Sequence, residues 1–154
     1  MTDAEPKPLR VILDTNITIR ANVIEAPQHT ICLNTIKSLR AAGHDLWLSR
    51  QILREYTAVL TRPQRFTKPQ PAKVVVERVQ YFEKHFFIAD DTARVTANLL
   101  KLPETIPVGG KQIHDANIVA TAQAFDIAQL ITLNISDFQR FDKHLIITSS
   151  EDIA

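Results

Sequence analysis

The sequence is short of the residues on which several protein classes depend. It has one cysteine, Cys32, in 154 residues. That excludes a disulfide framework and any Cys-rich zinc site. It has three glycines, Gly43, Gly109 and Gly110. No GxGxxG or Walker loop can be assembled from them, so dinucleotide-binding and P-loop readings fall. No apolar run approaches the ~18 residues of a membrane span. Residues 1–8 hold no charged-then-apolar signal pattern and read as a polar tail. A reduced, cytoplasmic protein is the expectation. An excess of charge is missing too, because 18 Lys+Arg face 17 Asp+Glu for a net +1. Polyanion binders usually carry a clear basic surplus, so the total taken alone argues against a nucleic-acid partner.

That balance is uneven along the chain. Residues 50–111 hold eleven bases and six acids, while residues 112–154 hold two bases and six acids. Arg50, Arg54, Arg62, Arg65, Lys68 and Lys73 fall in the basic stretch and supply charges that could track a phosphate backbone. The alternative is an ordinary solvated helix face. A near-neutral total is what a carboxylate-lined site beside a basic surface adds up to.

What is present is material for one folded core. Hydrophobic residues make up 45% of the chain, more than disorder permits, and the length suits a single domain over residues 9–154. Leu9–Leu13, Leu46–Leu48, Gln129–Leu133 and His144–Thr148 read as short buried strands. Helices are expected at 30–42 (stopped by Gly43), from Ser49 to before Pro63, at 71–86, at 91–102 and at 115–125. Strands separated by helices predict an α/β domain with a central, mostly parallel sheet of four to five strands. Segment 71–102 reads as a helical excursion between βα units.

Open parallel sheets bind ligands at the carboxyl ends of their strands. Asp14 follows the first strand directly, and Asp137 follows the Gln129–Leu133 strand. On its helix Asp115 shares a stripe with Ile118, Val119 and Ala122, so its carboxylate points with the apolar face. Glu55 flanks the apolar arc of Ile52, Leu53, Tyr56, Val59 and Leu60. Carboxylates gathered at one edge repel, and a hard divalent cation resolves the conflict. Oxygen donors without Cys or paired His select Mg²⁺ or Mn²⁺ over zinc.

Each acid has a plainer reading. Asp14 and Asp115 suit helix caps, Asp137 a turn residue before Phe138, and Glu55 a solvated residue or an ion-pair partner of Arg54 or Arg62. Their joint placement is what sets them apart. His114 either orients Asp115 or opens its helix. Cys32 reads as a small core residue, and no serine sits in a GxSxG elbow.

The run Val11-Ile12-Leu13-Asp14-Thr15-Asn16 resembles the opening strand and signature of PIN-domain proteins. Glu55, His114-Asp115-Ala116, Thr132-Leu133-Asn134 and Asp137-Phe138 follow in matching order. The resemblance spans roughly residues 9–150 and is strongest to the VapC-type toxins of toxin–antitoxin pairs. It implies a three-layer PIN-like fold and a Mg²⁺- or Mn²⁺-dependent endoribonuclease, inhibited by an antitoxin protein and often a homodimer. It implies Asp14, Glu55 and Asp115 as the three central metal-binding acids. Asn134 stands where many members have an acid and Asp137 lies three residues on, so the fourth position is open between them. Asp137 is the choice made here, with Asn16, Thr132 and Asn134 in support, and one ion rather than two. The implied reaction is attack of water on an RNA phosphodiester, leaving a 3′-hydroxyl and a 5′-phosphate.

Three other readings share part of this pattern. A housekeeping PIN nuclease in RNA processing would use the same site without an antitoxin. A non-catalytic RNA-binding PIN domain would not need the acids. A haloacid-dehalogenase-like phosphatase would carry a second acid two residues after Asp14, where this chain has Asn16.

Overall fold

The computed structural model describes residues 7–153. Residues 1–6 of the expected polar tail lie outside them, and Lys7 and Pro8 are exposed. Five strands form one sheet: β1 (Arg10–Leu13), β2 (Asp45–Ser49), β3 (Phe87–Ala89), β4 (Gln129–Thr132) and β5 (Ile146–Ser149). Their order is β3-β2-β1-β4-β5, and every pairing is parallel. Helices flank the sheet: α1 (Thr15–Asn22), α2 (His29–Ala41), α3 (Arg50–Leu60), α4 (Ala72–His85), α5 (Ala93–Lys101), α6 (Gln112–Ala124), α7 (Ile135–Phe138) and α8 (Ser150–Ile153). None of the helices in the described residues is long and apolar enough to cross a membrane.

The central strand β1 has an apolar core after its exposed first residue, Arg10. Val11, Ile12 and Leu13 are fully buried, as a strand covered on both faces requires. Ile12 lies level with Trp47 on one side and Leu130 on the other. After β1 the chain builds β2 and β3 outward, then returns to place β4 on the opposite side of β1. That reversal opens a crevice at the carboxyl ends of β1 and β4, where such folds bind ligands.

Local chemistry explains several boundaries. Helix α2 ends where Gly43 adopts φ +82°, and the His44 N–H reaches back to the Leu39 carbonyl. Only glycine takes that left-handed position without cost. Ser49 begins α3 as expected, its hydroxyl accepting from the Ile52 N–H at 3.2 Å.

Several elements differ from the sequence expectation. Segment 71–102 is not a purely helical excursion, because Phe87–Ala89 forms β3 and extends the sheet edge beside β2. The sequence predicts no helix at α1, α7 or α8. Helix α1 contains four β-branched residues in its first five, which favour strands locally. Burial of Ile17, Thr18, Ile19 and Ala21, together with a cap from Asp14, overrides that preference. Helix α6 begins three residues before Asp115, at Gln112. The Gln112 side-chain oxygen accepts the Gly109 N–H at 3.2 Å, which gives the paired glycines a helix-start role.

Candidate active site

The residues at the crevice come from four elements. Asp14 leaves β1 while still in the ladder, its N–H donating to the Ile131 carbonyl at 2.9 Å. Its carboxylate is buried. One oxygen accepts from the Thr15 N–H at 2.8 Å and the other from the Thr132 hydroxyl at 2.8 Å. The cap reading of Asp14 is therefore true of its geometry, since one oxygen caps α1. A carboxylate offers about four acceptor positions, so two hydrogen bonds leave it further capacity.

Glu55 is half-buried on α3. Its Oε2 accepts from the Thr15 hydroxyl at 2.6 Å and its Oε1 from the Gln51 amide at 2.9 Å. Neither Arg54 nor Arg62 pairs with it among the described residues; Arg54 pairs with Asp91 instead. The ion-pair reading of Glu55 thus gives way to a carboxylate oriented by neutral donors. Asp115, on the first turn of α6, is half-buried, while Ile118, Val119 and Ala122 of its stripe are buried. Asp137, on α7, is exposed.

All four acids line one cleft of about 340 Å³, with Asn16, Asn134 and Arg62 beside them. Thr132 stands behind, its hydroxyl donating to Asp14 while accepting the Asn134 N–H at 2.9 Å. Asn134 and Asp137 both reach the cleft, and the Asn134 side chain makes no cap to α7.

The electrostatics follow from this crowding. Burial pushes the Asp14 carboxyl up to about 6, against the pull of its two hydrogen bonds, with Asp115 and Glu55 adding to the rise. Asp115 is also pushed up to about 6, by burial and then by Asp137 and Glu55, with Arg140 and His114 opposing. Asp14 and Asp115 are each raised in part by neighbouring acids of the cleft, as expected where carboxylates share a site. The donor set is all oxygen and suits a hard divalent cation. Among the described residues no three acids, histidines or cysteines already converge on a common metal-ligating point. Among the described residues no hydrogen bond reaches the Asp115 or Asp137 carboxylate, so their oxygens have acceptor capacity left for an ion.

The basic residues divide. Arg62 lines the acid cleft. Arg50 does not: it pairs with Glu83 at 3.0 Å and Asp90 at 2.9 Å, and Arg54 pairs with Asp91 at 2.8 Å. Both line a separate, apolar groove between α3 and α4. Arg65 is exposed and not part of the cleft lining. Of the bases expected to track a phosphate backbone, Arg62 thus lies at the acid cleft, while acids of α4 and of the stretch after β3 engage Arg50 and Arg54.

Sequence reasoning passed over Thr15 and Gln51 as site residues. Thr15 bridges Asp14 and Glu55 through its backbone N–H and its hydroxyl. Its position inside the Asp14-Thr15-Asn16 motif was the available signal.

A five-stranded parallel α/β sheet with an acid cleft at its switch point defines a PIN-like architecture. The chain belongs to the PIN-domain family, whose model matches residues 11–144. Solved structures with the same fold include VapBC2 from Rickettsia felis bound to a fragment of promoter DNA. That match has 21% identity and a TM-score of 0.66, covering 92% of this chain and 98% of that one. VapBC-1 from nontypeable Haemophilus influenzae matches at 18% identity and a TM-score of 0.65, covering 92% and 98%. VapC20 from Mycobacterium tuberculosis, described as a Sarcin-Ricin loop cleaving toxin, matches at 13% identity and a TM-score of 0.58, covering 78% and 86%. No curated protein matches the sequence significantly.

Proposed function

We propose that the protein is a Mg²⁺- or Mn²⁺-dependent endoribonuclease, the toxin of a toxin–antitoxin pair. The observation that carries this reading is the single cleft shared by Asp14, Glu55, Asp115 and Asp137. Asp14, Asp115 and Asp137 would hold the ion, and Glu55 would hold it or orient the attacking water. When bound, the ion supplies a water of lowered pKa and positive charge opposite the phosphate in its transition state. Thr15 and Gln51 aim the Glu55 carboxylate, and Thr132 and the Thr15 N–H fix that of Asp14. Asn16 and Asn134, at the cleft wall, would contact the RNA backbone, and Arg62 would face its phosphates.

The toxin role rests on the family and on neighbours solved as toxin–antitoxin complexes. By the same likeness the partner would be an antitoxin protein, and the active form a homodimer. A small reading frame adjoining the gene, whose product co-purifies with this chain and inhibits it, is the expected result. An active protein with no such inhibitor would turn the reading toward RNA processing.

The enzymatic test uses purified protein and Mn²⁺ with a pool of structured RNAs. Cleavage with 5′-phosphate ends is expected, removed by EDTA and by Asp14→Asn or Asp115→Asn. Undiminished cleavage by both variants would refute the assignment.

A further inference from the structure

We propose that Gln51 is a positioning residue that sets the separation of Glu55 and Asp115, and through it the affinity of the cleft for a divalent cation. This rests on the metal-site reading above and assigns a role to a neutral side chain outside the acid set.

Gln51 is only 5% exposed, on the first turn of α3. A buried primary amide must satisfy two N–H donors and a carbonyl. Here all are used. Its Nε2 donates to Glu55 Oε1 at 2.9 Å and to the His114 carbonyl at 2.8 Å. Its Oε1 accepts from Asn117 Nδ2 at 2.7 Å. The reverse orientation would set the amide oxygen against two acceptors and the amide nitrogen against a donor. The Glu55 carboxylate and the His114 carbonyl can only accept, so they dictate which end of Gln51 meets Glu55, and Asn117 completes the set by donating to the Gln51 oxygen.

The placement joins two arms of the site. His114 immediately precedes Asp115, so Gln51 reaches from the Glu55 carboxylate to the backbone that carries Asp115. Among the described residues, every hydrogen bond between α3 and α6 runs through Gln51. Glu55 and Asp115 are like charges facing one cleft, and their repulsion drives α3 and α6 apart. The amide opposes that movement and leaves Glu55 one fixed direction, because Thr15 holds the other oxygen. Partners of this kind around metal-binding carboxylates typically govern affinity by about 10–100-fold.

The test is a Mn²⁺ titration followed by electron paramagnetic resonance, well below the melting temperature, on the parent and three variants. Gln51→Met keeps the volume and removes the hydrogen bonds; a loss of about 10–100-fold in Mn²⁺ affinity is expected. Asn117→Ala leaves Gln51 in place but removes the donor to its oxygen and so loosens its hold on Glu55, and a loss nearer tenfold is expected. Asn117→Ala also decides the matter should Gln51→Met fail to fold. Circular dichroism melts run alongside, because a purely structural role would lower the melting temperature and leave the Mn²⁺ affinity intact. That result overturns the proposal. Asp14→Asn separates the two layers. If it abolishes binding while Gln51→Met and Asn117→Ala bind like the parent, Gln51 is refuted and the metal site stands. If Asp14→Asn binds Mn²⁺ unchanged, the metal site itself is refuted and the role of Gln51 falls with it.

Discussion

Helix α3 carries two polar pairs, each spaced i, i+4, on adjoining faces. Arg50 and Arg54 look toward α4 and the stretch after β3, where Glu83, Asp90 and Asp91 meet them. Gln51 and Glu55, one residue further on, meet the cleft. On the arginine face each positive charge has found a negative one, and hydrogen bonds to Asp90 and Glu83 hold the Arg50 pKa up. On the acid face like charges gather, and two carboxyls are pushed up to about 6. Folding alone does not favour that second arrangement. A surface built for stability resembles the arginine face, and charge crowding without compensation marks a place that something else completes.

The largest contrast is expected in catalysis. Asp14→Asn should lower Mn²⁺-dependent RNA cleavage by at least about 10²-fold, since losing a ligand costs more than losing a ligand's partner. Glu83→Gln removes one arginine partner and should change cleavage by no more than a few-fold. Rates measured side by side decide it, and an equal loss from Glu83→Gln would erase the distinction between the faces.

Stability should divide the same way with pH. The folded Asp14 carboxyl sits near 6 against 3.8 when free, so the native state holds the proton more tightly. Its contribution is complete below pH 3.8 and is lost as pH rises through about 6. The rise from 3.8 to about 6 corresponds to about 3 kcal/mol between those limits. Asp115 changes in the same direction. Urea unfolding in EDTA should therefore show stability falling from pH 5 to pH 7, with Asp14→Asn flattening part of that slope. On the proposed metal reading, millimolar Mg²⁺ would bind the native state alone and should restore stability at pH 7. A slope unchanged in Asp14→Asn would break the link between acid crowding and lost stability.

The two faces were not equally legible in the sequence. Asp14 was readable because a mostly apolar strand stops at it, and Asp115 because it shares a stripe with buried residues. The flank position of Glu55 was readable on a helical wheel. The arginine face was not, since the acids that meet it lie 33 to 40 positions away. Gln51 was hidden for a related reason. A neutral amide on the first turn of a helix looks solvated until Asn117, 66 positions on, arrives beside it. Among the elements, β3 has three residues and an exposed Phe87, too few to display an alternation. Helix α1 was hidden by its own β-branched residues, whose burial depends on packing that no local pattern reports.

The smallest effect tests the arginine face directly. Arg50 and Arg54 are more than two-fifths exposed, and surface pairs contribute about 0–1 kcal/mol. Arg54→Ala should lower the melting temperature by no more than about 2–4 °C. Its sharper readout is salt. A cation that contacts an RNA phosphate contributes about one unit, slightly less on single strands, to the slope of log affinity against log salt. Arg54 already spends its charge on Asp91, so Arg54→Ala should leave that slope where it was. Arg62 lines the cleft and has no ion-pair partner among the described residues, so Arg62→Ala should reduce the slope by nearly one unit. Filter-binding titrations with the inactive Asp14→Asn protein measure both. Equal reductions would mean that RNA draws Arg54 away from Asp91, and the basic face would then belong to the substrate path after all.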